Sequence, residues 1–295
     1  MSEKSKKFAL LIRRITPIYA VLAILIAVSY YFAVSEGFND VLGHFDPVVW
    51  FFLFGGLTIF AVAFAFAFAC PAAHRLSVPC IPEAGILEIF AAALSAVMAG
   101  AIAVSTVLRL IDSIPVKPAL PLASAILFAL LAAGLVLSLF PKFRTGLCRT
   151  VLLSLGTLAV VLSLFELYFS EIPINNPIRH TSMLIMAFPV LFIIAEARLA
   201  FVTPDVPQSR RSTGFFYLLA AGLTASVSAG LALGTALTHF FCYVADDPSL
   251  PLLPLGLYFA LGLLALSRLA AFGDAADAYL PEKPAKSAKS APDGE

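Results

Sequence analysis

Apolar runs recur along the whole chain, separated by short polar or proline-containing breaks. A helix needs roughly 20 apolar residues to cross the hydrocarbon of a bilayer, so each run predicts a transmembrane helix. The predicted spans cover residues 15–34, 47–70, 86–110, 119–140, 150–170, 178–202, 214–241 and 251–272. The sequence therefore predicts an all-α fold, a polytopic transmembrane helical bundle of eight spans.

The segments outside the spans are short. Residues 1–14 form a basic N-terminal segment, and the Ala, Lys, Pro and Ser-rich tail 273–295 is typical of disorder. The first apolar run suits an uncleaved span better than a signal peptide, although residues 33–35 would serve as a small-residue cleavage site. At 61% hydrophobic and 13% charged, the composition leaves no room for a soluble domain.

Small residues repeat at four-residue spacing on two of the predicted spans. In span seven, Gly222, Ser226, Gly230 and Gly234 share one face, which predicts close packing against another helix of this chain or of a second copy. A membrane-protein partner or a homo-oligomer through this face is thus one prediction. A similar stripe in span three, Ala92–Ala96–Gly100, predicts that span three is central in the bundle.

The distribution of charge predicts orientation. The net charge of +1 provides no field for nucleic acid, so the lipid bilayer is the predicted partner. If the N-terminus is cytoplasmic, only Arg109, Lys117 and Arg179 of the 19 lysines and arginines fall outside. This bias predicts that both termini are cytoplasmic, in a bacterial cytoplasmic membrane.

Ionisable residues near the predicted outer ends of spans three, five and six form the first candidate site. They are Arg109, Glu166, Glu171, Arg179 and His180. Because hydrocarbon penalises charge, ionisable residues close to it suggest a functional site. The cluster is either a site for a solute or a proton, or an ion-pair latch with interfacial anchoring, and Arg109 has Asp112 as an alternative partner. Pro189 in span six predicts a kink and a freed carbonyl.

A second candidate cluster lies at the predicted inner ends of spans three, six and eight. It comprises Glu88, Glu196, Arg198 and Arg268. Glu196 and Arg198 are two residues apart and point to different helix faces, so we expect Glu88 or Glu196 to pair with Arg198 or Arg268. Snorkelling towards water is the alternative for both arginines.

Motifs for catalysis, metal binding and cofactor binding are missing from the sequence. It contains no HExxH, no GxSxG, no Walker loop and no Asp-rich pyrophosphate motif. Cys70, His74 and Cys80 match no zinc spacing, and four scattered cysteines predict no disulfide framework. We therefore predict no catalytic residues, no metal, no cofactor and no enzymatic activity.

The segment from 165 to 201 carries FELYF, the turn PINNP and the helix end AEARL. In these motifs it resembles a family of uncharacterised multi-pass membrane proteins of anaerobic bacteria, which have an acidic-aromatic end, a P-(I/M)-N-(S/N)-P turn and a Glu-x-Arg. The resemblance implies a membrane protein and brings no activity with it.

Two functional hypotheses follow. The small-residue faces and the missing motifs favour a non-enzymatic membrane component with an accessory, sensory or assembly role. The eight spans, Pro189 and the charges around spans three, five and six favour a transporter or permease-like protein for a small solute. A cavity near the membrane midplane, lined by Glu166 or Glu196 and reached from one side, would support transport, whereas a solid core would favour the first hypothesis.

Overall fold

The computed structural model describes residues 3–39, 44–45, 49–73, 85–112, 119–143, 146–169, 176–201, 207–242 and 250–275. Its helices are α1 (Glu3–Gly37), α2 (Val49–Ala73), α3 (Ile86–Asp112), α4 (Ala119–Leu137), α5 (Leu147–Tyr168), α6 (Pro177–Phe201), α7 (Pro207–Leu223), α8 (Ala229–Phe241) and α9 (Leu252–Ala275). A π-helical segment, Thr224–Ser228, joins α7 to α8, so these three elements form span seven and α9 is span eight.

The predicted eight-span helical bundle is confirmed. Within the described residues, eight stretches are long and apolar enough to cross a membrane, and their bounds fall within a few residues of the predicted ones. Two details differ. Helix α1 begins at Glu3, so most of the basic segment 1–14 is helical and continuous with span one, and α9 runs on to Ala275. The remainder of the predicted tail lies outside the described residues.

Extended structure is limited, in the part of the chain described, to the connection after α1. There Phe38–Asn39 pairs antiparallel with His44–Phe45. One short 3₁₀ turn, Pro141–Phe143, follows α4.

Five helices form a ring. Each of α3, α4, α5 and α6 packs against the next, α6 packs against α9, and α9 packs against α3. The remaining helices, α1, α2 and span seven, pack against one another and cover the ring on the side of α6 and α9. The bundle is therefore a five-helix ring with a three-helix group beside it.

Span seven, rather than span three, is the most buried helix. Burial reaches 83% of the residues in the apolar window of span seven but 44% in span three. One face of α3 points outward through exposed residues such as Ile89, Val97 and Val104. Ala92 and Ala96 are buried as expected, but a Cβ on Gly100 would meet no atom within 4 Å. The expectation that span three is central was wrong, because its small-residue stripe occupies only part of its surface.

The small-residue face of span seven packs against α1 of the same chain. A Cβ placed on Gly230 would lie 2.7 Å from the Ala23 carbonyl oxygen, and one on Gly234 would lie 2.9 Å from that of Ala27. Glycine is required here because the backbones of the two helices touch. The sequence predicted that this face packs against a helix of the same chain or of a second copy. In the structure, the neighbour is α1 of the same chain.

The proline of α6, Pro189, lies beside the π-helical segment, which bonds to the backbone around it. Pro189 has no N–H to donate to the carbonyl of Ile185, four residues earlier. The Ser228 hydroxyl donates to that carbonyl at 2.7 Å, and the Thr224 hydroxyl donates to the Phe188 carbonyl at 2.9 Å. Span seven thus supplies hydrogen-bond donors to backbone carbonyls of α6, which lipid chains could not do. The two irregular segments lie side by side in the core.

Replacing Ser228 by Ala should destabilise the bundle, because the Ile185 carbonyl would lose its partner in a buried site. We expect a loss of about 1–3 kcal/mol in the free energy of unfolding, measured by denaturant titration in mixed micelles. Ser226→Ala is the matched control, since the buried Ser226 hydroxyl bonds only to the Gly222 carbonyl of its own helix. Equal losses in the two variants would contradict the coupling.

Candidate functional site

A cavity of about 590 Å³ lies inside the five-helix ring, towards the end where α3 and α5 finish and α4, α6 and α9 begin. All five helices contribute to its wall. The polar lining consists of Arg109, Glu166, Ser105, Thr106, Ser124, Ser163 and Tyr258, and the apolar lining includes Ile102, Phe128, Met186 and Leu253.

The cavity extends deep into the bundle. Its innermost lining residues include Phe128 and Met186, each nine residues from the start of its helix. A rise of 1.5 Å per residue puts them about 13 Å from that end, close to half of a hydrocarbon thickness of about 30 Å. The described bundle is therefore not solid throughout.

The predicted outer cluster is divided by the structure. Arg109 and Glu166 line the cavity from α3 and α5, and no ion pair joins them in the described part of the chain. Arg179 is buried, donates to the Tyr168 backbone carbonyl and stacks over the Tyr168 ring at 5.6 Å. It thereby joins the start of α6 to the end of α5.

The two other members of the predicted outer cluster contribute nothing to the described cavity wall. His180 is exposed, with its Nδ1 3.0 Å from the Asn176 carbonyl oxygen. Glu171 lies outside the described residues.

A buried charge network occupies the opposite end of the same helices. Glu196 on α6 is its centre, with an ion pair of 2.5 Å to Arg149 on α5 and one of 3.1 Å to Arg268 on α9. The Tyr217 hydroxyl donates to Glu196 at 2.5 Å, and Arg268 also pairs with Glu88 on α3 at 2.8 Å. We call these five residues the charge network.

The charge network is almost inaccessible to solvent and is electrically balanced. The side chains of its two glutamates and two arginines are 1–4% exposed. The charges of two carboxylates and two guanidinium groups cancel. The ion-pair contacts among them offset the free-energy cost of removing these groups from water. Removing any one of these four charged side chains would leave an uncompensated charge inside the bundle.

The predicted inner cluster differs from the charge network by three residues. Glu88, Glu196 and Arg268 come together, but Arg198 is exposed, because two positions along a helix carry a side chain round to another face. Sequence reasoning missed Arg149, which had counted only as an inner basic residue, and Tyr217, for which the sequence offered no signal. Depth along the bundle was a poor guide to helix face.

Periodicity could have linked the two sites. On α3, Glu88, Ser95, Ile102 and Arg109 follow one another at seven-residue spacing, which keeps them on nearly one helix face. This stripe runs from the charge network, through a fully buried serine, to the floor and the mouth of the cavity. On α5, Arg149, Gly156 and Ser163 have the same spacing.

Four helices contribute to both sites. Helices α3, α5, α6 and α9 line the cavity near one end and supply the four charged residues of the charge network near the other. Between the two sites lie Pro189 and the π-helical segment, whose Ser228 hydroxyl bonds to the carbonyl that Pro189 leaves without a helical donor. The arrangement is a pocket open towards one end of a helix ring that ion pairs close at the other end.

The remaining chemistry of the described residues is limited. Among them, no group of three or more His, Cys, Asp or Glu side chains could hold a metal ion, and Cys70, Cys148 and Cys242 carry free thiols. Comparisons with protein-family models, with curated proteins and with solved structures find no match to this chain. Its function must therefore be argued from the cavity and the charge network.

Proposed function

We propose that this chain is a carrier of a bacterial cytoplasmic membrane, which binds a small solute in the cavity and passes it across the bilayer by opening the end closed by the charge network. The observation that supports this proposal is that the same four helices line the cavity and carry the network. In this proposal, a movement of these helices that opens one end alters the other end, because the same helices form both.

The charge network suits a gate. Its ion pairs join different helices, so they break when the helices move apart and water enters. Because the network is neutral as a whole, this opening leaves no net charge inside the protein. Pro189 and the adjacent π-helical segment provide a place for bending. Pro189 leaves one gap in the hydrogen-bond ladder of α6, and the π-helical segment interrupts the α-helical bonding pattern of span seven. Both termini are cytoplasmic in this proposal, so the cavity opens outward and the network faces the cytoplasm.

An accessory, sensory or assembly role remains a prediction with weaker support. It was favoured by a small-residue face that a partner could cover, and α1 covers that face within the chain.

Solvent access to the cavity tests the proposal. In a variant whose four native cysteines are replaced by serine, Ser163→Cys places a thiol on the cavity wall. We expect a membrane-impermeant maleimide, added outside intact cells, to label it rapidly. Leu158→Cys is the matched control on α5, because Leu158 is 47% exposed on the outer surface of the helix, where lipid would cover it.

The contrast between the two thiols decides the outcome. Labelling of position 163 at least about tenfold faster than position 158 supports a water-filled cavity, because a maleimide reacts with the thiolate, which hydrocarbon disfavours. If the two positions react equally slowly from outside, the cavity is not open to water on that side and the carrier proposal fails.

A further inference from the structure

We infer that the solute is uncharged and carries several hydroxyl groups, the chemistry of a small polyol or sugar. This inference rests on the proposed function, because it names the ligand class of the same cavity. It follows from the depth at which the charged, hydroxyl and apolar side chains of the wall lie.

The charged side chains of the described wall lie at the mouth of the cavity. Arg109 and Glu166 are exposed, and they lie three and two residues from the ends of α3 and α5. Arg109 also has an interaction partner of its own. Deeper in the described wall, no Asp, Glu, His, Lys or Arg side chain is present. A charged solute would lose its water there without meeting a counter-charge, which favours an uncharged solute.

Hydroxyl groups occupy the level between the mouth and the apolar floor. Each of them lies five to seven residues from the cavity end of its helix, which is about 8–11 Å at a rise of 1.5 Å per residue. We call them the hydroxyl layer, which consists of Ser105 and Thr106 on α3, Ser124 on α4, Ser163 on α5 and Tyr258 on α9. Four helices thus present hydroxyl groups to the same cavity at one depth.

Two members of the hydroxyl layer have no hydrogen bond within the described residues. The side chains belong to Ser124, which is 7% exposed, and to Tyr258, which is 1% exposed. Because both residues line the cavity, a group inside the cavity is the partner available to each hydroxyl. Each of these two hydroxyls can donate one hydrogen bond and accept others.

The other three members of the hydroxyl layer present acceptors. The hydroxyls of Ser105, Thr106 and Ser163 donate to carbonyls of their own helices, so their oxygen lone pairs remain. The layer therefore accepts hydrogen bonds at every position and donates them at two. A solute hydroxyl is both a donor and an acceptor, so a solute with several hydroxyls matches this wall. Its carbon skeleton would pack against Phe128 and Met186 at the floor.

The shape favours a free polyol over the sugar headgroup of a glycolipid, which has the same chemistry. The five lining helices close a ring, so the cavity is entered from the end of the bundle rather than sideways from the acyl chains. The volume of about 590 Å³ lies within the range of small-molecule sites and accommodates a six-carbon polyol.

Binding of radiolabelled sorbitol to the full-length protein in phosphatidylcholine nanodiscs tests this inference. The unlabelled competitors are sorbitol, gluconate, which has a carboxylate, glucamine, which has an ammonium group, and 1,6-hexanediol, which keeps only two hydroxyls. We expect sorbitol to displace the label at a concentration at least about tenfold lower than any of the other three. Charge is penalised by the uncharged wall, and missing hydroxyls leave the layer without partners.

Substitutions in the hydroxyl layer assign the contacts. Tyr258→Phe and Ser124→Ala remove hydroxyls that bond to no other described residue, so both variants should fold, and each should weaken sorbitol binding about tenfold. Tyr19→Phe is the matched control. Tyr19 on α1 is 0% exposed, its hydroxyl has no partner among the described residues, and it lies outside the cavity wall. This variant should leave sorbitol binding unchanged.

Four results would overturn the inference. They are no measurable binding of sorbitol, equal displacement by one of the three other competitors, an effect of Tyr258→Phe no larger than that of Tyr19→Phe, and displacement of sorbitol by a glucosyl diacylglycerol added to the nanodiscs. The last result would assign the site to a lipid headgroup. If water reaches the thiol at position 163, these results leave the carrier proposal intact. A cavity thiol that water does not reach would refute the carrier proposal itself.

Discussion

Replacing Glu196 by Gln should be the most damaging single change to this protein. The substitution keeps the shape of the side chain but removes the charge that pairs with Arg149 and Arg268, both of which are buried. Breaking a buried ion pair by removing one partner typically costs about 3–5 kcal/mol, because the remaining charge stays desolvated. We expect a loss of that size in the free energy of unfolding, measured by denaturant titration in mixed micelles.

Arg198→Gln provides the control for Glu196→Gln from the same helix turn. Arg198 is exposed, so its loss should change stability by no more than about 1 kcal/mol. The double variant Glu196→Gln with Arg149→Gln restores charge balance and should lose less stability than the sum of the single variants. Additive losses, or a Glu196→Gln effect as small as that of Arg198→Gln, would contradict the buried network.

The second large effect concerns one substitution made at two glycines. Gly230→Ala would set a Cβ 2.7 Å from the Ala23 carbonyl oxygen and 3.0 Å from Ile26 Cβ, which forces α1 and α8 apart. Overpacking of this kind costs about 1–3 kcal/mol. Gly100→Ala adds the same methyl group to α3 where no atom lies within 4 Å, and it should stabilise the helix by about 0.5–1 kcal/mol.

The opposite signs of the two glycine substitutions are the result to measure, again as free energies of unfolding. If Gly230→Ala is as harmless as Gly100→Ala, α1 does not pack against the small-residue face of span seven. That face would then be available to a second copy or to another membrane protein.

The eight spans could be predicted because hydrophobicity alone determines which segments cross a bilayer. Neighbours in the bundle could not, since packing depends on the fit of whole helix surfaces. The four small residues of span seven predicted a close helix contact. They did not identify α1 as the helix that packs against this face. A similar stripe in span three led to the wrong prediction that this helix is central, because Gly100 faces open space.

The candidate sites were predictable to a lesser degree, for a related reason. Arg109 and Glu166 were found because charge within an apolar run is conspicuous, and both line the cavity. Arg149 was missed because it follows a polar break, where a basic residue needs no partner to explain it. Arg198 was included for its depth alone, although its face on the helix decides its contacts. The seven-residue repeat through Glu88 and Arg109 is visible in the sequence. Many ordinary helices have such a repeat, so it did not predict a site.

The central claim is that the charge network closes one end of a pathway whose other end is the cavity. Ser95 tests it most directly, because it is fully buried on α3 midway between Glu88 and Ile102 on the same helix face. In the cysteine-free protein, a thiol introduced by Ser95→Cys should resist a water-soluble maleimide added at the network end. Tyr217→Phe removes one hydrogen bond to Glu196, and it should speed that labelling while slowing the labelling of position 163 from the cavity end.

Opposite changes at the two ends would show that the network and the cavity opening exclude each other. If weakening the network leaves position 95 unreactive in a folded protein, or if both positions become faster together, the charge network is a structural brace and not a gate.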